Sequence, residues 1–315
     1  MSAILFSVVK AFWFLISLLP LRVLYFFSDL IFFPIYYLLR YRRDVVRKNL
    51  VGSFPEKSLD DIVRLEKRFY HSLCDYFMET VKLYGMSEKR VRKHISFTGV
   101  DAVEDALAQG CSVVAYMAHT FNWEFATAIP LFLKNKEVVV GQIYHPLENK
   151  HFDDFFLKLR GQYNSESISM ASTLRRIIEI GKQKKQFIIG FIADQVPTWN
   201  SIHHWLTFFH RETPVFTGTE KIARRTGSAV FFLQFKRVKR GKYVAHFIPM
   251  AQNAADLPEL ELTNMYYRLL EDSIRETPEL WLWTHNRWKR TRKKMEERER
   301  RRAEAKRLKA AEQAE

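Results

Sequence analysis

Cysteine is scarce in this sequence, and no cysteine motif is present. Of the 315 residues only Cys74 and Cys111 are cysteines, and they lie far apart with no C-x-x-C spacing. A disulfide framework and a cysteine-rich zinc site are therefore both disfavoured. The expected state is two buried thiols in a reducing compartment.

Other common signatures are missing as well. No basic stretch precedes the apolar N-terminus and no small-residue cleavage site follows it, which disfavours a cleavable signal peptide. No internal repeat is evident. Residues 289–315 contain almost no large apolar side chain but carry 12 basic and 6 acidic residues, which predicts a solvated helix or a frayed tail. Attraction of this segment to anionic lipid headgroups is the functional alternative.

The composition of the chain indicates a folded protein with an anionic partner. Aromatic residues make up 15% of the sequence, which is more than a disordered chain carries, so a substantial core is expected. The formal net charge is +15. Such a charge fits nucleic acid, an anionic membrane surface, a phosphorylated substrate or an acidic carrier protein, and charge alone does not choose among them.

The N-terminus is the most apolar part of the chain. Residues 3–39 are almost continuously apolar, with a division at Pro20 and Arg22 and one charge in each half, Lys10 and Asp29. Each half is slightly short for a bilayer core of about 30 Å, which needs roughly 20 helical residues. One tilted span, or a hairpin that dips into the bilayer, is therefore predicted. The alternative is an unusually apolar pair of core helices.

A basic cluster follows the apolar segment immediately. Under the positive-inside rule this cluster predicts that the body of the protein lies in the cytoplasm. Its members are Arg40, Arg42, Arg43, Arg47 and Lys48.

Beyond this cluster the chain predicts helices that alternate with short strands. Residues 57–84 have apolar side chains at three- and four-residue spacings, as in a helix, and a second helix is predicted to begin at Ser172 and end near Gly181. Such alternation predicts an α/β fold, a mixed sheet flanked by helices. Five apolar, β-branched runs predict buried strands: SVVAYM at 112, EVVVGQ at 137, QFIIGFIA at 186, SAVFFLQF at 228 and YVAHFIP at 243.

Two ionisable side chains follow the first of these strands. His119 comes just after SVVAYM, and Glu124 lies five positions further on, in HTFNWE. Ligands of open α/β sheets bind beyond the carboxyl ends of the strands, so a general base and a carboxylate that orients it are one interpretation. The spacing alone is weak, and a packed histidine beside a surface glutamate is the alternative. A metal site is disfavoured, because the spacing is not H-E-x-x-H and no third ligand is near.

Several further motifs occur in a recognisable order along the chain. They are RRDVVRKNLVGSFPE at 42–56, AHTFNWE with the pattern H-x-x-x-x-[DE], YHP at 144–146, Arg160, FIADQ ending at Gln195, LTFFHRETPVFTGTEKIARRTGS and PELWLWTHNRWK. Together they resemble the late lipid A acyltransferases, membrane enzymes that place lauroyl or myristoyl chains on lipid A precursors. Two positions depart from the family pattern: His145 replaces the arginine of Tyr-Arg-Pro, and His210 replaces the glycine of Phe-Phe-Gly. Both changes are expected to affect headgroup or acyl-chain contacts.

The resemblance implies a reaction and a location. It implies a bacterial inner-membrane enzyme with its catalytic domain in the cytoplasm. This enzyme would move a fatty acyl chain from acyl carrier protein to a hydroxyl of a lipid A precursor in lipopolysaccharide biosynthesis, without a cofactor or a metal. The expected fold resembles that of the glycerolipid acyltransferases. Residues 1–40 are then the membrane anchor, 41–290 the catalytic domain, and 291–315 a charged helix or tail.

The resemblance also implies roles for five residues. His119 would deprotonate the acceptor hydroxyl and Glu124 would orient the imidazole, whereas Arg160, Asp194 and Gln195 would contact substrate. No serine or cysteine nucleophile is needed, since the acceptor oxygen attacks the thioester directly. Without the resemblance, Arg160 is an exposed helix arginine and Asp194 a helix cap.

Two other groups of histidines favour plainer interpretations. His285 with its neighbouring tryptophans favours packing, and His203 and His204 favour an exposed loop.

Two rival functions also fit parts of the sequence. A lysophospholipid acyltransferase would use the same base and carboxylate, but the Phe-Pro-Glu of this chain, at residues 54–56, precedes the histidine and lacks the Gly-Thr of that class. A nucleic-acid-binding protein is a rival of another class. It is disfavoured because the basic residues concentrate beside the apolar segment and in the tail.

Overall fold

A computed structural model describes residues 3–312 of the chain, and within that range helices and strands alternate. The helices are α1 (Ala3–Leu18), α2 (Leu21–Phe33), α3 (Arg43–Ser53), α4 (Leu59–Leu83), α5 (Glu88–Val91), α6 (Val100–Ala108), α7 (Ile129–Phe132), α8 (Lys150–Gly161), α9 (Thr173–Lys182), α10 (Gly218–Thr226), α11 (Glu261–Glu276) and α12 (Arg292–Glu312). The strands are β1 (Ile95–Thr98), β2 (Val113–Met117), β3 (Val139–Tyr144), β4 (Glu166–Ser169), β5 (Phe187–Ile192), β6 (His204–Phe208), β7 (Arg211–Val215), β8 (Ala229–Lys239) and β9 (Lys242–Ala251).

Seven of the strands form one mixed sheet in the order β1-β9-β8-β2-β5-β3-β4. The β8–β9 pair is antiparallel, and the other pairs in this sheet are parallel. Each face of the sheet is covered by helices and buries its own apolar cluster. The predicted fold class, an α/β protein with a mixed sheet flanked by helices, is confirmed.

The two central strands place the site. All five residues of β2 are buried, because a parallel strand covered on both faces has no solvated side. β2 pairs with β5 from Val113↔Ile188 to Met117↔Ile192, so the two strands end side by side. A Cβ atom built on Gly190 would lie 2.7 Å from Met117 Sδ, so a larger residue at this point of β5 would require the Met117 side chain to move. The chain segments that follow β2 and β5 therefore leave the sheet together.

The five predicted strands are present as β2, β3, β5, β8 and β9, and the predicted helices at 57–84 and from Ser172 correspond to α4 and α9. The sequence analysis missed β1 and β4, the two edge strands, which are only four residues long and partly exposed. It also missed the separate β6–β7 hairpin, in which His204 begins a strand instead of lying in a loop. Short, half-exposed strands lack the long apolar runs by which the central strands were recognised.

The turn of this hairpin has an unusual sequence. Phe209 and His210 both have positive φ, 48° and 61°, a conformation that glycine or asparagine usually supplies. His210 is exposed, and Arg275 lies 3.4 Å from its ring nitrogen. The glycine that the resembled family has at this position would relieve the backbone. The replacement of the family's glycine by His210 therefore affects the backbone of this turn.

A buried carboxylate on α4 joins three separate parts of the fold. Glu79 is 1% exposed and accepts hydrogen bonds from the Tyr25 and Tyr243 hydroxyls, each at 2.8 Å, and from the Asn122 amide at 3.3 Å. Burial raises its pKa from the ordinary 4.5 to about 7, against the opposing effect of these donors. The Glu79 carboxylate thus links α4 to α2, β9 and the loop after β2.

The first prediction concerns the pH dependence of stability. Because the folded-state pKa of Glu79 is about 7 and the ordinary value is 4.5, the unfolded chain releases this proton first as pH rises. The free energy of unfolding should therefore fall between these two pH values, by on the order of 3 kcal/mol from this group. Glu79→Gln, neutral at every pH, should show a flatter curve of melting temperature against pH. Glu88→Gln, at an exposed carboxylate, is the control, and parallel curves for the Glu79→Gln and wild-type proteins would contradict the prediction.

Candidate active site

The structure brings a histidine and an aspartate together at the carboxyl ends of β2 and β5. His119 lies two residues beyond Met117 and Asp194 two residues beyond Ile192. The Nδ1 atom of His119 is 2.7 Å from Asp194 Oδ1, and the backbone N–H of His119 donates to Oδ2 at 3.2 Å. Because both strands end at the same level, equal offsets bring the two side chains into contact.

Asp194 is a buried and fully engaged carboxylate. Its side chain is 2% exposed, and Oδ2 also accepts a hydrogen bond from the Trp281 indole N–H at 2.8 Å. Burial opposes ionisation, but the adjacent His119 and these donors outweigh it and lower the pKa of Asp194 below its ordinary value. Asp194 is therefore ionised at neutral pH, and it fixes the proton of His119 on Nδ1.

The loop that carries His119 is held from two sides. Residues 280–282 pair with it as an antiparallel bridge, with Phe121 N–H donating to Leu280 O at 2.9 Å and Leu282 N–H to His119 O at 3.1 Å. The two tyrosines of α11 donate to the last carbonyls of the strands: Tyr266 to Met117 O at 2.7 Å and Tyr267 to Ala193 O at 3.0 Å. These bonds add to the backbone pairing at this edge of the sheet, where Met117 O also accepts from the Ala193 N–H at 3.3 Å.

The second ring nitrogen of His119 points away from Asp194. The side-chain amide nitrogen of Gln195 lies 3.3 Å from Nε2, and the Trp123 ring meets the imidazole edge-on at a centroid distance of 5.0 Å. The His119 side chain is 20% exposed. With the proton on Nδ1, Nε2 carries the lone pair, and the Gln195 amide N–H is the donor that faces it.

Glu124 does not occupy the position that the sequence analysis predicted for it. Its carboxylate binds the Arg160 guanidinium with two hydrogen bonds, from Nε to Oε2 at 2.9 Å and from Nη2 to Oε1 at 2.5 Å. The expectation that Glu124 orients His119 is therefore corrected, because Asp194 makes that contact. The reason is local: the Asn122 side chain caps the 3₁₀ helix Trp123–Ala128 by accepting from Glu124 N–H, and this helix directs Glu124 toward α8.

The Glu124–Arg160 pair is a charged pair in the interior. Glu124 is 2% exposed and Arg160 21%. Burial disfavours the charged guanidinium, but Glu124 outweighs this and raises the pKa of Arg160 above its ordinary value. The pair uses Nε and Nη2 of Arg160, so Nη1 is not needed for it. Arg160 is thus a fixed cation beside the site and not the exposed helix arginine of the plainer interpretation.

His285 has a role that the sequence analysis assigned only to packing. Its Nε2 atom accepts a hydrogen bond from the backbone N–H of Val196 at 3.2 Å. Burial lowers the pKa of His285 to about 4, so the ring stays neutral and keeps this lone pair available. Trp281 and His285 thus hold the Asp194–Gln195 segment from a part of the chain some 90 residues away in sequence. In the sequence, these contacts of Trp281 and His285 are indicated only by the Trp-Leu-Trp-Thr-His motif.

Two further sequence expectations concern this edge of the sheet. His145 follows β3 and is exposed, with Nδ1 2.9 Å from its neighbour's carbonyl, Pro146 O. Within residues 3–312, no three His, Cys, Asp or Glu side chains are grouped so as to hold a metal ion.

These contacts define a class of enzyme. A buried carboxylate fixes one nitrogen of a histidine, the other nitrogen faces an amide side chain, and the loop after the histidine carries the glutamate that holds Arg160. This arrangement suits a general base that takes a proton from a hydroxyl, as in hydrolases and acyl-transfer enzymes.

Comparison with known proteins then identifies the family. Residues 1–290 match the family described as "Bacterial lipid A biosynthesis acyltransferase", and the chain belongs to it. It is 25% identical over 255 residues, 80% of each chain, to the lipid A biosynthesis palmitoleoyltransferase of Escherichia coli K12, and equally to a lipid A biosynthesis acyltransferase of Shigella flexneri. To the lauroyltransferase of E. coli K12 it is 22% identical over 250 residues, 79% of each chain. The chain is therefore an enzyme that transfers acyl groups in lipid A biosynthesis.

The second prediction tests the role of Asp194. In Asp194→Asn the amide oxygen must take the position of Oδ2, which accepts from two N–H donors, so the amide N–H₂ faces His119 Nδ1. The imidazole proton then moves to Nε2, and the base loses its free lone pair. Acyl transfer should fall by about 10³–10⁴-fold, as for the wrong tautomer in a hydrolase triad.

A thermal melt and the matched variant Asp154→Asn, at an exposed carboxylate on α8, control for stability and for loss of charge. An Asp194→Asn enzyme that keeps more than a tenth of wild-type activity would show that Asp194 does not set the tautomer.

Proposed function

We propose that this enzyme moves a fatty acyl chain from acyl carrier protein to a hydroxyl of a lipid A precursor, with His119 as general base. The observation that carries the proposal is the 2.7 Å contact between His119 Nδ1 and the buried, ionised Asp194. With Nδ1 protonated by this contact, the Nε2 lone pair can serve an acceptor hydroxyl that replaces the Gln195 amide as its hydrogen-bond partner.

The proposed reaction needs no covalent enzyme intermediate. The acceptor O–H gives its proton to His119 Nε2, and Asp194 stabilises the imidazolium that forms. The acceptor oxygen attacks the thioester carbonyl carbon, so that a C–O bond forms and the C–S bond breaks. The carrier thiolate leaves and takes the proton back from Nε2, which returns the imidazole to its starting state.

Gln195, which lies beside the imidazole, and Arg160 are both suited to bind substrate. Gln195 has an amide that can donate to the acceptor oxygen or to the thioester oxygen. Arg160 is held rigidly by Glu124, and its Nη1 can donate to a phosphate or to the developing oxyanion. In this proposal Glu124 is a positioning residue for Arg160, and not for His119.

The charge of the protein supports the proposed partners. Both an acidic carrier protein and a phosphorylated glycolipid are anionic, and the chain carries +15. The basic residues that follow the apolar N-terminus support a cytoplasmic catalytic body at the bacterial inner membrane, the side on which acyl carrier protein is expected. Membrane association itself is indicated by the family and by the apolar segment Leu21–Leu38.

The third prediction tests the base. His119→Ala should lower acyl transfer from acyl carrier protein to a lipid A precursor by about 10²–10⁴-fold, the usual contribution of a positioned general base. Its melting temperature should also fall, because Asp194 loses one of its three donors, so activity is assayed at a temperature at which a thermal melt shows both proteins folded. His203→Ala, at an exposed histidine, is the matched control.

Assays with three different substrates test the proposed acyl donor and the proposed acceptor. Acyl carrier protein and coenzyme A thioesters of the same fatty acid compare donors, and a lysophospholipid acceptor tests the glycerolipid rival. A normally folded His119→Ala enzyme with near wild-type turnover would refute the mechanism. Transfer to the lysophospholipid in preference to the lipid A precursor would refute the acceptor.

The fourth prediction concerns the charged pair. If Glu124 acts through Arg160, Glu124→Gln and Arg160→Met should each lower activity, and the double variant should be little worse than either single one. The pair is buried, so each single variant should also melt earlier than the wild type. A double variant whose loss equals the product of the single losses would mean that the two residues act separately.

A further inference from the structure

Helix α2 and the π-helical turn Pro34–Leu38 that continues it have two faces of opposite character. One face is buried against the body, at the four-residue spacing Leu24, Ser28, Phe32 and Tyr36. The opposite face is apolar and exposed, each residue by 38–60%, although helical geometry would allow polar residues there. Its members are Val23, Phe26, Phe27, Leu30, Phe33 and Tyr37.

The buried face is bound to α4, which runs antiparallel to it. The Tyr25 hydroxyl donates to Glu79 at 2.8 Å, and the Ser28 hydroxyl donates to Asp75 at 2.6 Å. One turn further on, the Phe32 ring stacks on His71 at a centroid distance of 3.7 Å. These contacts follow each other along successive turns, so α2 is held over its length and not at one end.

A charged group from the sheet locks the same interface. Arg240, between β8 and β9, donates to Asp75 Oδ1 at 2.6 Å and to Asp29 Oδ1 at 2.7 Å. Asp29, the one acidic residue in the apolar segment 3–39, is thereby paired with the body of the protein. A charge paired in this way need not enter the hydrocarbon of a bilayer.

Helix α1 is fixed to the body as well. The Lys82 ammonium donates to Ser17 O at 2.7 Å and to Leu19 O at 2.8 Å, which satisfies carbonyls at the C-terminus of α1. Trp13 packs on Phe155 of α8 at a ring distance of 4.9 Å. The outer side of α1 is again apolar and exposed, at Phe12, Phe14, Leu15 and Leu18.

This attachment is incompatible with a span. The segment Leu21–Leu38 is long enough to cross a bilayer, about 27 Å at 1.5 Å per residue. A spanning α2, however, would carry α4 into the hydrocarbon beside it, and α4 bears Asp75, Glu79 and the core of the catalytic body on its other side. Lipid can reach only the outer face of the hairpin.

We infer that α1 and α2 form a monotopic anchor that lies in the plane of one membrane leaflet, with its outer apolar face among the acyl chains. The partner is a leaflet with anionic headgroups, because cations border this face: Lys10, Arg22 and Arg40 are exposed, and Lys67 lies 5.9 Å from the Tyr37 ring centre. This inference goes beyond the proposed reaction and does not depend on it.

The fifth prediction measures the depth of this face in a bilayer. An environment-sensitive fluorophore is attached at Phe26→Cys or Phe33→Cys of the full chain carrying Cys111→Ser. Native Cys74 can stay, because burial raises its thiol pKa to about 12 and keeps it unreactive. Vesicles of phosphatidylethanolamine and phosphatidylglycerol carry spin labels either near the headgroup or at the end of the acyl chain.

A monotopic anchor predicts that both positions are quenched, to a similar extent, and more by the shallow label. A span of Leu21–Leu38 instead places the two positions about 5 Å on either side of the bilayer centre, so the deep label should quench both more than the shallow label does. The matched control Lys182→Cys, exposed on α9, should not be quenched. Stronger quenching by the deep label would overturn the inference. So would an absence of quenching at both positions, which would indicate a face covered by a second copy of the chain.

A labelling experiment in cells gives an independent answer. If the anchor stays in the cytoplasmic leaflet, a membrane-impermeant maleimide should leave both Arg22→Cys and Lys182→Cys unlabelled in intact spheroplasts. A spanning α2 puts these two positions on opposite sides, so that one of them is labelled.

Replacing Arg22 with Gln should weaken binding to anionic vesicles about fivefold and leave binding to phosphatidylcholine vesicles unchanged. Equal weakening on both would show that the charge does not contact headgroups.

Discussion

The Asp194 carboxylate is the point at which the catalytic part of this enzyme is assembled. Its two oxygens accept from the His119 backbone, the His119 ring and the Trp281 indole, which belong to two distant parts of the chain. A buried carboxylate with three donors is costly to displace, since each lost partner leaves a buried charge less well compensated. The tautomer of His119 and the position of the C-terminal segment both follow from this one group.

The enzyme uses buried carboxylates in two different ways. Glu124 is paired with a full cation, Arg160, through two hydrogen bonds. Glu79 has only hydroxyl and amide donors, so its charged form is less well compensated and its pKa rises to about 7. Asn122 contacts both systems, by donating to Glu79 and by capping the helix of Glu124. The packing of the anchor and the geometry of the site are therefore connected through one amide side chain.

Sequence reasoning reached the parts of the structure that follow from strand position. β2 and β5 are apolar runs, and the rule that ligands bind beyond strand ends pointed to His119, whereas Asp194 and Gln195 were expected from the resemblance to the lipid A acyltransferases. It did not predict which carboxylate meets the imidazole, because a five-residue spacing through a 3₁₀ helix does not specify direction. The pairing of Asp194 with His119 depends on strand order, and the contributions of Trp281 and His285 depend on a bridge between distant segments. The β6–β7 turn was missed because Phe209 and His210 are poor turn formers by themselves.

The docking of α2 on α4 also determines how separable the anchor is. Many membrane enzymes carry their anchor as a module that can be cut off to give a soluble catalytic fragment. Here removal of residues 1–40 would uncover Asp75, Glu79 and Lys82, whose partners are Ser28, Tyr25 and the end of α1. The anchor is part of the interior of this protein on one side and part of its surface on the other. It therefore has to evolve together with the catalytic body and cannot be exchanged for another hydrophobic helix.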